Sequence, residues 1–459
     1  MTATTSSLPK PAHFAARRLE FTPNQLLLGA VLIAAGLSAL SLLFNHAIDY
    51  DPEGWIVYGR ELLSSQPLNT TGFPAWKPLP AIMIAPFTLI TRGEGDVYYW
   101  LFISRAAAVL TVFACAALAH RFGGRVAAVL AGFMVVISPW WAGDGAVGRD
   151  SSLSAVLFVG AFLAHYRGWY RWSVLSMVGL ALLRPEATPF IMLYGVWMWR
   201  SRRLAWWFTV GAVGVIVLLW LVPTIFHSGL SPAAISQNSG GTNAAVNSSF
   251  PALTVIIDAA KQTHQLPAVL LTLAFFASLY ALYSLVLRRR IPGEVLWGRS
   301  GEELVLIGAS VAWVLIVAAE TQKGYAGNPR YLVPAVTVFF AVGCVAIVRL
   351  AGSRVVLGLT HSPRATLVAV VAVCAVGTAA FSVHALKSGV RLIQGRDHQV
   401  YAMRQELLML RCPGRVYANS SNNAYLAQIT GRPLQDTVDW HLPYLWFKGN
   451  SFWFVYCAP

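Results

Sequence analysis

The sequence predicts an all-α polytopic membrane protein of about eleven transmembrane helices, followed by a small α/β domain at the C-terminal end. Two compositional facts point there first: 56% of the 459 residues are hydrophobic and only 12% are charged. A soluble chain of this length carries about twice that share of charge. The third observation is spacing, because apolar runs of the length needed to cross a hydrocarbon core of about 30 Å recur along most of the chain. A net charge of +15 raises the question of nucleic acid. The basic residues fall instead in short loops between apolar runs and form no extended patch, which suits membrane topology and excludes a nucleic-acid partner.

The elements follow in order. Residues 1–23 form a cytoplasmic N-terminal segment carrying Lys10, Arg17 and Arg18. The apolar run after it exceeds a usual signal-peptide core, and no small-residue cleavage pattern precedes Asn45 and His46, so a retained first span is expected. The transmembrane domain, residues 24–386, is predicted to hold spans at 24–44, 98–120, 126–141, 153–165, 172–183, 187–199, 206–226, 268–287, 304–319, 333–348 and 366–386. With the N-terminus inside, each short inner loop is basic: Arg121 and Arg125, Arg167 and Arg171, Arg200 to Arg203, Arg288 to Arg290, and Arg354 with Arg364. Large outer loops are expected at 45–97 and 223–267. The first includes a short apolar piece at 79–90 suited to an interfacial or re-entrant helix.

Residues 387–459 then lie outside the cytoplasm, with strands expected at 415–418 and 452–456 and a helix at 422–429. Of five cysteines, Cys115, Cys344 and Cys374 fall in predicted spans, while Cys412 and Cys457 bracket the terminal domain. Either a disulfide or two thiols fits that last pair. The localisation implied is the plasma membrane, multi-pass, with a cytoplasmic N-terminus and an extracytoplasmic C-terminus.

Ionisable residues near a membrane are costly, and here they concentrate on the outer side. The first outer loop supplies Asp49, Asp51, Glu53 and Lys77, and the next offers Asp144, Arg149 and Asp150. Arg184, Pro185 and Glu186 interrupt an apolar stretch, and Arg330 and Tyr331 stand at the head of a late span. Arginine grips phosphate oxygens with a planar fork, lysine supplies a point charge, and an ionised aspartate within reach of a hydroxyl can accept its proton. The set therefore suits holding a lipid phosphate while an acceptor hydroxyl is activated. Asp51 stands out as the base, whereas Glu53 also fits the first turn of a helix beginning near Pro52. Arg60, Arg92 and Arg105 fit headgroup contact or helix capping equally well. His46, His227 and His264 are scattered singles without metal-ligand spacing, and no phosphate-binding glycine loop supports ATP-driven transport.

In this order the pieces resemble a known group. The segment Asp51-Pro52-Glu53-Gly54-Trp55 and the following Trp76-Lys77-Pro78-Leu79-Pro80 with Arg105 are similar to the first-loop motifs of the GT-C superfamily of polyprenyl-phosphate-sugar-dependent glycosyltransferases. So are Gly148-Arg149-Asp150, Leu183-Arg184-Pro185-Glu186 and Asn328-Pro329-Arg330-Tyr331-Leu332. The likeness is nearest to the aminoarabinose transferase and protein O-mannosyltransferase branch, and the terminal domain resembles actinobacterial members.

The resemblance implies a glycosyltransferase, hexosyl or pentosyl, that moves a sugar with inversion from a polyprenyl-phosphate donor to an envelope glycan, lipid or protein acceptor. Asp51 and Asp150 would be catalytic. Asp49, Glu53, Lys77, Arg149, Arg184, Glu186, Arg330 and Tyr331 would bind substrate. A divalent cation serves some members, and no motif here calls for one. Pro52 separates the two acids that the family often places side by side, so Asp49 competes with Asp51 as base. The rival from another class is a transporter or flippase for a lipid-linked envelope precursor, which would place charges at mid-membrane depth within two matched halves.

Overall fold

The computed structural model describes residues 22–44, 48–63, 68, 76–91, 94–228, 245–262, 299–324, 327–351, 387, 416–418, 437–439 and 456–457. Helix α1 (Pro23–Ser41) starts at a capping box in which Thr22 and Gln25 each accept from the other's backbone N–H, with Pro23 at the first helical position. Its flanks are apolar and open, with Leu26, Leu32 and Leu40 more than half exposed. A helix apolar all round and left uncovered by protein is covered by lipid. Ser38 on its inner face donates to the Phe102 carbonyl at 2.6 Å, tying α1 to α4 (Glu94–Val136).

Helix α4 contains the predicted spans 98–120 and most of 126–141, separated where Gly124 leaves helical geometry. The two arms fold back on each other, so that a Cβ at Gly132 would stand 3.5 Å from Val112 and 3.6 Å from Ala116. Small residues at that seam let the backbones approach. Between the first two spans lie α2 (Tyr50–Glu61) and α3 (Pro78–Thr91), the latter at the short apolar piece expected from sequence.

Helices α5 (Pro139–Ala146) and α6 (Ser151–Tyr166) meet at 115°. Next come α7 (Tyr170–Ala181), a 3-10 turn at Pro185–Ala187, α8 (Thr188–Arg200) and α9 (Trp206–Ser228). At 12 and 13 residues, α7 and α8 are each shorter than the roughly 20 a full crossing needs. The pair flanks Arg184 and Glu186, and those buried charges explain why the apolar run is cut there. Among the described residues, helices α10 (Pro251–Gln262), α11 (Arg299–Gln322) and α12 (Val333–Ala351) follow.

Five of the described helices are long and apolar enough to cross a membrane, and the molecule is a multi-pass membrane protein. The stretch Pro329–Arg349 is the central one, 89% buried, against α4, α6 and α11. Its core includes Trp313, Phe340, Val345 and Cys344. The spans expected at 268–287 and 366–386, with Cys374, lie outside the described residues. In the C-terminal region β1 (Val416–Ala418) pairs parallel with β2 (Thr437–Asp439) and antiparallel with β3 (Tyr456–Cys457). The first strand falls where expected, the second was not anticipated, and the predicted helix at 422–429 and Cys412 are outside the described residues.

Candidate functional site

The site is built from chain breaks. Between α5 and α6 the backbone turns through residues 147–150, with Gly148 at φ 77°. A Cβ there would sit 3.2 Å from the Trp100 ring, so both the left-handed backbone and the close packing call for glycine. The Trp100 indole donates to the Gly148 carbonyl at 2.7 Å and the Ser104 hydroxyl to the Arg149 carbonyl at 3.0 Å. These bonds lock the turn that presents Arg149 and Asp150.

A second break follows α7. Arg184 is extended, as the residue before a proline is steered to be, and its backbone N–H closes on the Leu180 carbonyl at 2.7 Å. A third precedes α12, where the Asn328 side chain accepts from the Arg330 N–H and Pro329 opens the 3-10 turn Pro329–Leu332. The Trp313 indole donates to the Tyr331 carbonyl at 2.8 Å and seats that turn on α11. Lys77 stands before Pro78 at the start of α3, its ammonium 4.8 Å from the centre of the Trp55 ring.

These breaks bring Asp150, Lys77, Arg184, Arg330 and Asp51 together. Asp150 is fully buried and accepts from Lys77 at 2.5 Å and from Arg184 at 2.9 Å. Arg330 donates to Asp51, and the Arg184 guanidinium lies over the Tyr331 ring at 3.7 Å. A second network joins it through the 147–150 turn: Arg149 bridges Asp49 and Asp144, and Ser151 donates to Asp144 at 2.5 Å. The Asp49 backbone N–H closes on Val147 at 2.8 Å, tying the start of α2 to the same turn. Of the predicted site residues, all ten therefore lie in or beside one region. Glu53 is buried on the inner face of α2, and Glu186 is buried beside Arg184. Arg105 instead donates to the carbonyls of Ser41 and Ala146, a structural clamp between α1 and α5. Arg60 pairs with buried Asp96 at 2.9 Å.

The electrostatics follow from burial. Desolvation lowers the Lys77 ammonium, Arg184 lowers it further, and Asp150 opposes both, leaving its pKa at about 8. Burial alone would raise the Asp150 carboxyl, but Arg184, Lys77 and Arg330 hold it well below the usual carboxylate range. Asp150 is thus a fixed anion that gathers cations. Asp51, whose side chain is 23% exposed, is the more open carboxylate. Among the described residues, three buried cationic N–H groups have no acceptor: Nε and Nη1 of Arg184 and Nε of Arg330. Unpaired buried donors of this kind are costly and fit an anionic ligand. Sequence reading missed Glu320, near the end of α11, although a lone acid closing an apolar run is itself a signal. Among the described residues no group of three or more His, Cys, Asp or Glu side chains is placed to hold a metal ion.

No protein-family model matches the chain, and no curated protein sequence matches it either. Among solved structures the chain is similar to ArnT from Cupriavidus metallidurans bound to undecaprenyl phosphate, at 16% identity over 90% of this chain and 77% of that one, with a TM-score of 0.48. It is also similar to the archaeal oligosaccharyltransferase AglB from Archaeoglobus fulgidus in complex with an inhibitory peptide and a dolichol-phosphate. There the identity is 14% over 80% of this chain and 56% of that one, with a TM-score of 0.45.

Proposed function

We propose that the protein is a GT-C-type membrane glycosyltransferase. It moves a sugar from a polyprenyl-phosphate donor to a cell-envelope acceptor hydroxyl on the outer face, with inversion. The observation that carries this reading is the buried cation group Lys77, Arg184 and Arg330, which holds N–H donors without protein acceptors beside the partly open carboxylate of Asp51. The acceptor oxygen bonds to the anomeric carbon while its proton passes to Asp51. The bond from that carbon to the phosphate oxygen breaks, and the electron pair leaves with the polyprenyl phosphate. The added negative charge is taken up by cations already in place, which is how preorganised charge lowers a barrier. Asp150 holds Lys77 and Arg184 in position, and Arg149 ties Asp49 and Asp144 to the same turn.

A transporter or flippase has less support. The ion pairs of α11 and α12 gather at the helix ends: Arg121 with Glu302 and Arg349 with Glu303 at one end, and the Arg330 cluster at the other. The orientation proposed puts the Arg330 end outside, together with the C-terminal strands. The test is a deletion strain whose membrane lipids are compared with wild type by mass spectrometry. Accumulation of one polyprenyl-phosphate sugar supports the reading and names the donor, and an unchanged lipid profile contradicts it.

A further inference from the structure

The transfer step does not use two neighbouring carboxyl groups, one buried and one partly buried. Glu186 belongs to the Pro185–Ala187 turn and is 3% exposed, and Glu320 lies near the end of α11. The two carboxyls are within hydrogen-bonding reach of each other. A hydrogen bond between them needs a proton on one of the two, and beyond that shared proton neither Glu186 oxygen nor Glu320 Oε2 has a partner. Burial raises the Glu186 carboxyl above its ordinary range, against the pull of Arg184. Arg184 and Lys77 face Glu186, along with Asp150; Arg184 and Lys323 face Glu320.

Arg184 supplies the second observation. It is 1% exposed, its Nη2 is committed to Asp150, and its Nε and Nη1 have no acceptor. It lies near enough to act on both glutamates yet bonds to neither. A guanidinium edge and a carboxyl pair that stop short of each other are joined by a group that accepts from one and donates to the other. A hydroxyl does both, whereas a phosphate only accepts and an ammonium only donates.

We propose that Glu186, Glu320 and the unpaired edge of Arg184 form a subsite for the hydroxyls of the transferred sugar, next to the cations that hold the phosphate. The assignment rests on the transferase reading and deepens it. Adjacent hydroxyls engage donor and acceptor together, and a ligand lacking them leaves buried polar atoms unsatisfied. That asymmetry makes a hydrogen-bonding pocket discriminate more sharply than an apolar one.

The purified full-length chain in detergent is titrated, by native mass spectrometry, with a polyprenyl phosphate and with its mannosyl and arabinosyl esters. Wild type binds at least one ester more tightly than the bare phosphate. Glu320→Leu and Glu186→Leu each lower the ratio of ester to bare-phosphate affinity about tenfold, the loss expected for charge-assisted hydrogen bonds. Replacing a buried acid with an apolar residue of similar size does not threaten the fold, and binding of the bare phosphate reports that fold directly. Asp258→Asn, at an exposed pair with Lys261, leaves the ratio unchanged. If both leucine variants keep the wild-type ratio, or if wild type prefers neither ester, the sugar subsite is overturned while the phosphate site stands. If wild type does not bind the bare phosphate, the transferase reading falls and the subsite with it.

Discussion

Lys77 ties site chemistry to pH. Its folded-state pKa of about 8 lies below that of a free lysine, so the ammonium is present below pH 8 and is lost as pH rises through that value. Polyprenyl-phosphate affinity is therefore expected to fall several-fold between pH 7 and pH 9, measured by titration of the purified protein. Lys77→Arg, which stays charged, should flatten that dependence. Asp150 makes the opposite kind of prediction. Removing its charge leaves Lys77 and Arg184 buried without their counter-ion, so Asp150→Asn should destabilise the protein by about 3–5 kcal/mol. A thermal-unfolding shift in detergent checks this. Both residues were legible in the sequence, because charge inside or beside apolar runs is rare enough to notice. Their pairing was not, since Lys77 and Asp150 are 73 positions apart and only the folded chain brings them together.

At the scale of elements, the site depends on where helices stop. The turn between α5 and α6 needs Gly148 in a left-handed conformation against Trp100, and Gly148→Ala should cost about 1–3 kcal/mol. The same change should weaken lipid-phosphate binding, because Asp150 is carried two residues further on. Binding that stays at the wild-type level in a destabilised variant would detach the turn from the site. The motifs Arg184-Pro185 and Pro329-Arg330 announced their breaks through proline, which is why these positions could be read from sequence. Helix α2 was half visible, as Pro52 marks a helix start. The acute bend of α5 on α6 was not, because Gly148 gives no sign in sequence of which way the chain turns. Helices α7 and α8 were read as ordinary spans because hydropathy sees apolar content and not the length left after Arg184 cuts the run.

For the whole molecule, the claim is sidedness. Among the described residues, Arg203 bonds Tyr170 and the ionic cluster of Arg121, Glu302, Arg349 and Glu303 falls at one end of α11 and α12, with the candidate site at the other. A fusion of a periplasm-dependent phosphatase after residue 459 should be active, and one placed after Arg203 should not. The reverse pattern would move the site to the cytoplasm and remove the outer-face acceptor from the account. That long apolar helices recur along the chain was open to sequence reading because lipid imposes length and composition directly; of the eleven spans expected, five of the described helices have the length and composition to cross. Which helix becomes the centre was not legible: several spans are strongly apolar, and only packing shows Pro329–Arg349 89% buried while Pro23–Ser41 is 11% buried.

In the proposed transfer from a lipid phosphate, Asp51 accepts the acceptor's proton. The most direct test complements the deletion strain with Asp51→Asn at a protein level matched to wild type and measures polyprenyl-phosphate sugars in the membrane. The amide keeps the shape and loses the base, so the donor should accumulate to the level of the deletion strain. A strain carrying Asp51→Asn that clears the donor as wild type does would contradict the account.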